Sequence, residues 1–242
     1  MKIRIKFSKS GLMRYIGHLD LMRCFQKVFM RSGIDICFSE GMSPHMIMSF
    51  ASPLGVGLTS EGEYVDIEIG QRISSEEAIK ALNAQMPEGI TVISFVEVEP
   101  GKASKAMSIV AAADYEVRLE NTEHFPSEWE EKAVSFASTG PVMIEKETKS
   151  GSKLTDIAPM IYEMRIVKEP TDHFFLRLAS GSSANLKPEL VIKAFFEKTG
   201  TQFDEKELLI HRKELYARDP EGKLVSLESL GRPVGPESVA LS

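Results

Sequence analysis

The hydrophobic residues of the first hundred positions switch between two spacings, and this switching limits the possible folds more than any other feature of the chain. The stretch KIRIKFSK, residues 2–9, has an apolar residue at every second position. That period predicts a half-buried strand with one core face and one basic face. Over residues 17–31 the apolar residues recur at helical spacing, and a Ser-Gly pair supplies the stop signal. A strand followed by an amphipathic helix is predicted.

The same region continues with a second helix between strands. IDICFS and EYVDIEIG have strand character, and ITVISFVEV is a strongly β-branched strand. Between EYVDIEIG and ITVISFVEV lies SSEEAIKALNAQM, which begins with Ser74 three residues before Glu77, the spacing of a capping box. The predicted order is β-α-β-β-α-β, which defines the ferredoxin-like arrangement.

The order appears again in the second half of the chain. DYEVRLE and PVMIEKETK predict strands, and SEWEEKAVSFAS predicts a helix capped by Ser127. YEMRIVKEPTDHFFLRLA predicts a hairpin around Glu-Pro-Thr-Asp. KPELVIKAFFEKTG predicts a helix with Pro188 in its first turn and Gly200 past its end, and the tail predicts a hairpin around Asp-Pro-Glu-Gly.

We therefore predict an α+β protein of two tandem ferredoxin-like halves with a C-terminal β-hairpin. The first half spans residues 1–100 and the second spans residues 114–242. Residues 101–113, GKASKAMSIVAAA, follow Pro100 and contain many small residues. The Pro-Gly turn at positions 100 and 101 and this composition predict a linker.

Composition indicates a soluble protein in a reducing compartment. Hydrophobic residues make up 43% and charged residues 26%, which is ordinary for a globular domain. No apolar run approaches the roughly 18–20 residues of a membrane span, and the first residues lack the apolar core of a signal peptide. We expect a cytoplasmic location without membrane contact. Cys24 and Cys37 fit neither a disulfide framework nor a zinc motif, so both are expected to be reduced.

Charge is unevenly distributed along the chain. The first 50 residues contain eight Lys or Arg and three Asp or Glu, a net charge of +5, whereas the whole chain has a net charge of −6. A basic segment on an acidic body can form a local anion site. The alternative is that these cations lie on solvated faces of a strand and a helix.

A first cluster of polar residues lies in YIGHLDLMR, at the start of the first predicted helix. His18, Asp20 and Arg23 crowd this helix start, where unpaired amides and the helix dipole favour an anion. Arg23, Lys27 and Arg31 follow at steps of four and share one face. This face could bind a phosphate or a carboxylate. The alternative is ordinary helix capping beside a basic, solvent-exposed stripe.

A second cluster lies in the loop GMSPHMIMSFASPLGVG and the residues before it. Ser39, Gly41, Ser43 and Pro44 provide turn chemistry that a structureless connector seldom contains. His45 is a general acid or base, a hydrogen-bond donor to a ligand, or a histidine with a purely structural role. We expect the helix start and the Pro-His turn to line one positively charged recess.

Several kinds of chemistry have no matching motif. The sequence contains no GxGxxG, GxxxxGK[ST], HExxH or GxSxG, and its five histidines are scattered. We predict neither a cofactor nor a metal site.

Four segments resemble a known family. FSKSGLMRYIGHLDLMRCFQKVFMRSG, CFSEGMSPHMIMSFASPLGVGLTSEGEYVDIEI, LTDIAPMIYEMRI and ANLKPELVIKAF together resemble the radical-SAM-linked protein family, an uncharacterised domain found beside or fused behind cobalamin-binding radical SAM proteins. The resemblance implies a bacterial cytoplasmic protein that works with such a partner, and it imports no activity. The matching positions are His18, Leu19, Asp20, Arg23, Ser39, Gly41, Pro44, His45, Ser49, Phe50, Asp156, Pro159, Asn185 and Pro188.

The chain departs from the family pattern at four positions. Gly17 stands where serine is usual, Met46 and Ile47 replace a proline and a basic residue, and Ala158 replaces an arginine. The loss of two cations argues against strong phosphate binding. The chain also lacks a CxxxCxxC motif, so it is not itself the radical SAM enzyme.

Three functions remain open from the sequence. The leading prediction is a noncatalytic RNA-binding or substrate-presenting partner of a radical SAM enzyme, in which the basic strand face, Arg23, Lys27 and His45 contact tRNA or another RNA. The second is an acid–base enzyme that processes or modifies RNA through His18, Asp20 and His45. The third is a protein–protein adaptor without nucleic acid.

Overall fold

The chain forms two compact units, and the second interrupts the first. A computed structural model describes residues 1–101, 105–120, 122, 124–148, 151–202 and 204–235. Unit 1 comprises the described residues of Met1–Val110 and Glu214–Ser242, and unit 2 is formed by Ala111–Lys213. The division differs from the predicted tandem halves, because the C-terminal residues return to the N-terminal unit. Residues 236–242 lie outside the described residues.

The described residues of unit 1 form three α-helices and an antiparallel sheet. Its described elements are β1 (Lys2–Lys9), α1 (His18–Ser32), β2 (Met48–Phe50), β3 (Thr59–Glu68), α2 (Ser75–Asn83), β4 (Ile90–Val98), the short α3 (Ala106–Ile109), the end of β10 (Leu208–Arg218), β11 (Leu224–Ser226) and β12 (Gly231–Pro233). The strand order is β12-β4-β1-β3-β10, with β2 also beside β3 and β11 beside β10. Strand β1 pairs antiparallel with β3 and β4, and the pairs β2–β3, β4–β12 and β10–β11 are antiparallel as well.

The core of unit 1 lies between one face of the sheet and the helices α1 and α2. Ile3, Ile5 and Phe7 of β1 are fully buried, as the period of two predicts. The helix α1 adds a stripe of buried residues at helical spacing, namely Leu21, Phe25, Val28 and Phe29. The phenyl rings of Phe7 and Phe25 lie 4.7 Å apart between centroids. This packing fixes which face of α1 points outward.

The predicted basic face of β1 is not available to a ligand. Arg4 is fully buried and forms a bidentate ion pair with Asp66, at 2.8 and 3.1 Å. Lys6 contacts the carboxylates of Glu214 at 2.7 Å and Glu228 at 3.2 Å. The prediction of an exposed basic strand face was therefore wrong, because carboxylates distant in sequence neutralise these cations within unit 1.

Tyr64 belongs to the same polar cluster, and its surroundings determine how its hydroxyl titrates. Its hydroxyl donates to Glu214 at 2.6 Å, and burial together with that carboxylate raises the pKa of Tyr64. A raised folded-state pKa contributes stability that is present below the unfolded pKa of about 10 and is lost as pH rises above it. We expect Tyr64→Phe to leave tyrosinate absorbance of the folded protein at pH 10 unchanged. If the folded Tyr64→Phe variant showed one tyrosinate fewer than the folded wild-type protein at pH 10, the buried position of the Tyr64 hydroxyl beside Glu214 would be contradicted.

The described residues of unit 2 form two α-helices, antiparallel sheet strands and a separate hairpin. Its described elements are β5 (Val110–Leu119), α4 (Glu128–Ser135), β6 (Met143–Thr148), β7 (Gly151–Asp156), β8 (Ile161–Val167), β9 (His173–Ala179), α5 (Pro188–Thr199) and the first part of β10. The strand order is β10-β5-β9-β8, whereas β6 and β7 form a separate two-stranded sheet within the described residues. The helices pack on one face through aromatic residues, among them Trp129, Phe174, Phe195 and Phe196.

Many predicted elements are confirmed. The strands over residues 2–9 and 90–98, the capping box of Ser74 and Glu77, and the helix that starts at Pro188 and ends before Gly200 are present. The hairpins β8-β9 and β10-β11 form as predicted.

Other predictions were wrong. IDICFS forms only isolated bridges at Ile36 and Phe38, and the side chain of Ser127 caps nothing because its backbone is already helical. Most of the predicted linker is ordered, as α3 and the start of β5, while residues 102–104 lie outside the described residues. The predicted strand over 141–149 is β6, and position 149 likewise lies outside them.

Candidate functional site

The start of α1 contacts the end of β1 and the strand β2 through side chains. The ammonium group of the buried Lys9 donates to the carbonyl of Ile16 at 3.0 Å, just before the helix. The imidazole of His18 meets the ring of Phe50 edge-on, with centroids 5.2 Å apart. Its Nδ1 atom is buried and has no hydrogen-bond partner among the described residues. Gly17 is the N-cap residue and offers no side chain to the helix amides.

The outward face of α1 carries the three predicted cations. Arg23 Nη1 contacts Asp20 Oδ1 at 3.2 Å, and both side chains are about two-thirds exposed, at 67% and 65%. Lys27 and Arg31 are exposed and form no ion pair with any described residue. A shallow depression of about 300 Å³ is lined by Arg23, Gln26, Lys27, Met30 and Arg31. We call these five residues the α1 face.

Cys24 lies beside this surface without being an activated thiol. Burial raises the pKa of Cys24, although the cations of Lys27 and Arg31 act in the opposite direction. A raised pKa keeps the thiol protonated near neutral pH and lowers its nucleophilic reactivity. Cys24 and Cys37 are both free, as expected from the sequence.

The Pro-His turn is a closed, exposed loop. Ser39 Oγ lies 2.8 Å from His45 Nδ1 and accepts from the His45 amide at 3.1 Å, while the Ser39 amide donates to the His45 carbonyl at 2.8 Å. Gly41, Ser43, Pro44 and the His45 side chain are exposed within the turn. Gly41 has a φ of 112°, a conformation that favours glycine. The turn is therefore shaped by its own hydrogen bonds.

Strand register places the two clusters toward different ends of β3. Lys9 pairs with Ser60 at one end of β3, and α1 begins after Lys9. The helix α1 then runs toward the other end of β3, since Ile36, just after the helix, forms a bridge with Ile69. The turn lies between the bridged residues Phe38 and Met46. His18 meets Phe50, and the chain from His45 to Phe50 can extend over about 17 Å.

This arrangement brings no catalytic group into contact with another. His18 Nδ1 has no hydrogen-bond partner in the described part of the chain, Asp20 bonds to Arg23, and His45 Nδ1 lies 2.8 Å from Ser39 Oγ. A general base acts within hydrogen-bond reach of its target or through one water. The acid–base role of His18, Asp20 and His45 stays a prediction from the sequence.

The remaining predicted site residues have separate surroundings. Ser49 pairs in register with Asp66, as part of β2 in unit 1. Asp156 belongs to unit 2, where its Oδ1 accepts from the amides of Val142 and Ala158 at 2.9 and 3.0 Å. Asn185 is exposed in the segment before α5. The structure therefore gives Asp156 a local role in holding the chain at the end of β7.

Sequence reasoning missed residues that share the surroundings of the predicted site. Gln26 and Met30 lie between the three cations of the α1 face, and Met30 is 69% exposed. Gln26 and Met30 follow Arg23 by three and seven residues, and this helical spacing was enough to predict that they share its face. The contacts of Lys9 with Ile16 and of His18 with Phe50 had no such signal, since they depend on how β1, α1 and β2 pack.

No group of three or more His, Cys, Asp or Glu side chains in the described ranges is arranged to hold a metal ion. In the same part of the chain, none of the helices has the length and apolarity required to traverse a bilayer.

The sequence defines the family of this chain. Residues 2–188 match a family described as "Uncharacterized protein conserved in bacteria (DUF2344)". The chain belongs to this family of bacterial proteins, and the match includes both candidate clusters. No curated protein matches the chain.

A solved structure is similar over most of the chain. It is a crystal structure of a Cbf5-Nop10-Gar1 complex, with a TM-score of 0.48 and 9% sequence identity. The match covers 88% of this chain and 48% of the other, so this chain spans about half the length of its structural neighbour. At this TM-score the similarity carries no argument about function.

Proposed function

We propose that this protein is a noncatalytic RNA-binding protein that contacts RNA phosphates through the α1 face. One observation supports this function best. Arg23, Lys27 and Arg31 project from one exposed helix face around a depression, and Lys27 and Arg31 have no ion-pair partner among the described residues. Cations that are not neutralised can exchange counterions for phosphates, which favours binding of a polyanion.

Ion pairs occupy one cation of the α1 face and two cations of β1, and they leave Lys27 and Arg31 for a phosphate contact. Asp20 is the acidic residue of the first helical turn, and it already bonds to Arg23. In contrast, Arg4 and Lys6 of β1 are paired with carboxylates inside unit 1. The α1 face is therefore the part of the basic N-terminal segment from which an RNA contact can be made.

Replacing the three cations should weaken RNA binding and change its salt dependence. For Arg23→Gln, Lys27→Gln and Arg31→Gln combined, we expect affinity for bulk tRNA at low salt to fall about 10-fold or more. The slope of log K against log salt should become shallower by about 2, since each lost phosphate contact removes roughly 0.7 to 0.9. Fluorescence anisotropy over a series of salt concentrations measures both quantities.

A matched control separates the position of the cations from net charge. Arg72→Gln, Lys80→Gln and Lys132→Gln combined remove the same charge from exposed positions elsewhere on the chain. This variant should retain nearly the wild-type affinity and slope. Equal losses in the two triple variants would show that net charge alone matters, and absence of tRNA binding by the wild-type protein would refute the function.

Three finer statements belong to the same proposal. The β-α-β-β-α-β order and the antiparallel sheets support two ferredoxin-like units, of which unit 2 is inserted into unit 1. A cytoplasmic location follows from the composition and the absence of an apolar leader in the sequence. The proposed partnership with a cobalamin-binding radical SAM protein is supported only by the sequence resemblance.

Co-purification tests this partnership. A tagged chain isolated from its native host, with and without nuclease treatment, should retain the radical SAM protein if the two associate directly. Loss of the partner after nuclease treatment would indicate that RNA bridges them. An interaction that survives while tRNA binding fails would favour a protein–protein adaptor.

A further inference from the structure

One face of the sheet in unit 2 carries polar and aromatic side chains that the helices do not cover. Phe174, Leu176 and Leu178 of β9 are fully buried, and Phe174 packs against Trp129 of α4 and Phe195 of α5. Side chains alternate along a strand, so Phe175 and Arg177 lie on the opposite face. We call this opposite face of β5, β9 and β8 the open face.

The centre of the open face is a stack of flat groups. Arg165 pairs in register with Phe175, and its guanidinium carbon lies 4.3 Å from the centre of the phenyl ring. The guanidinium of Arg177 lies 5.8 Å from the same ring. The ring of Phe175 is therefore bordered by two planar cations, an arrangement of favourable cation–π contacts.

Neighbouring carboxylates hold these planar groups in place. Arg177 makes two hydrogen bonds with Asp114, at 2.7 and 2.8 Å, and the Asp114 side chain is only 6% exposed. Arg165 Nε donates to Glu163 at 2.8 Å. Bidentate pairing of arginine fixes the plane of the guanidinium. Phe175 is half-buried, and the side chains of Arg165 and Arg177 are 44% and 31% exposed, so the open face presents oriented flat groups that solvent reaches in part.

The charge balance of the open face favours stacking over phosphate binding. Its cations and carboxylates are nearly equal in number and largely paired, namely Arg118, Arg165, Arg177 and Lys213 with Asp114, Glu116 and Glu163. Cations that are already paired with carboxylates contribute little to the release of counterions when RNA phosphates bind. Nucleobases that are not paired stack on aromatic rings and on arginine planes, whereas the bases of a duplex have no free face.

We propose that the open face is a stacking platform for unpaired bases of single-stranded RNA, centred on Phe175 and bordered by Arg165 and Arg177. The proposal rests on the RNA-binding function proposed above and adds the preferred form of the RNA. It also assigns different contributions to the two units. The α1 face supplies salt-dependent affinity, and the open face supplies a preference for unpaired bases.

Phe175→Leu tests this platform, with a fluorescent oligoadenylate of about ten nucleotides and a blunt RNA duplex of about ten base pairs as probes. Leucine remains apolar but has no ring. We expect affinity of the full chain for the oligoadenylate to fall roughly 10-fold, with an unchanged salt slope. Affinity for the duplex should remain within about twofold. The triple variant of the α1 face should instead bind both probes more weakly and with a shallower salt slope.

Two further variants keep the test independent of folding defects. Phe175→Tyr retains a ring and should restore oligoadenylate binding. Arg165→Lys retains the charge at a side chain that is 44% exposed but removes the planar group, and it should weaken oligoadenylate binding several-fold.

The outcomes distinguish the two proposals. Unchanged oligoadenylate affinity in both Phe175→Leu and Arg165→Lys, or equal losses with the duplex, would overturn the platform while leaving the α1 face intact. A wild-type chain that binds neither probe would refute the RNA-binding function itself. In that case, a defect of Phe175→Leu in co-purification with a protein would assign the open face to a protein partner.

Discussion

Asp66→Ala is expected to destabilise unit 1 by about 3–5 kcal/mol. Arg4 is fully buried, and Asp66 accepts both of its bidentate hydrogen bonds. The amide of Ala106 also donates to the Asp66 carboxylate, at 2.6 Å. Removing the carboxylate leaves the desolvated guanidinium without the anion that accepts its two bidentate hydrogen bonds, and that penalty exceeds the strength of an ordinary hydrogen bond. Urea denaturation followed by far-ultraviolet circular dichroism measures the free energy of unfolding.

An exposed ion pair provides the matched control. Asp20→Ala removes the carboxylate that contacts Arg23, where both side chains are mostly exposed, and should change stability by less than about 1 kcal/mol. The double variant Arg4→Met, Asp66→Ala should recover part of the loss, because no unpaired buried charge remains. A cost below about 1 kcal/mol for Asp66→Ala alone would contradict the buried position of this pair.

Ending the chain after Lys213 is expected to have a still larger effect and to prevent stable folding of unit 1. The missing part carries Glu214, which binds both Lys6 and Tyr64, and the carbonyl of Leu227, which accepts from Arg4 at 3.0 Å. It also carries β12, which pairs with β4. Without these groups, the cations of β1 lose acceptors and the sheet gains an unpaired edge.

Hydrogen exchange measured by mass spectrometry shows this effect directly. In the truncated chain, amides of β1, β3 and β4 should exchange much faster than in the full chain, while amides of β9 in unit 2 should keep their protection. Adding a synthetic peptide of residues 214–235 should restore protection in part. Full protection of β1 in the truncated chain would show that unit 1 does not need its C-terminal segment.

Local sequence signals predicted the elements that depend on local physics. Residues 2–9 alternate strictly, Ser74 and Glu77 form a capping box, and Gly200 ends α5 in a left-handed conformation with a φ of 72°. Each of these features requires only neighbours in the chain. The start of β5 was missed because VAAAD offers alanines instead of β-branched residues, and its strand state depends on pairing with β9.

Long-range pairing accounts for what could not be predicted. The alternation of β1 correctly places Arg4 and Lys6 opposite the core, but it cannot show that Asp66, Glu214 and Glu228 cover that face. The same limitation applies to the inserted position of unit 2, since the return of the chain at Glu214 has no local signal.

The part of the candidate site that lies on one helix, α1, was predictable from the sequence. Steps of four place Arg23, Lys27 and Arg31 on one face, and the structure shows them around a common depression. The predicted recess shared by His18 and His45 depended on the packing of α1 against β2. The structure joins His18 to Phe50 and closes His45 onto Ser39 instead.

Ultraviolet crosslinking of 4-thiouridine-substituted tRNA to the full chain tests the role of the α1 face most directly. Mass spectrometry of the crosslinked peptides identifies the contacting residues without any change to the protein. We predict that crosslinks concentrate in peptides of residues 19–31, and that they disappear from the triple variant of the α1 face. Crosslinks found only in other peptides, or equally abundant in that variant, would contradict an RNA site on α1.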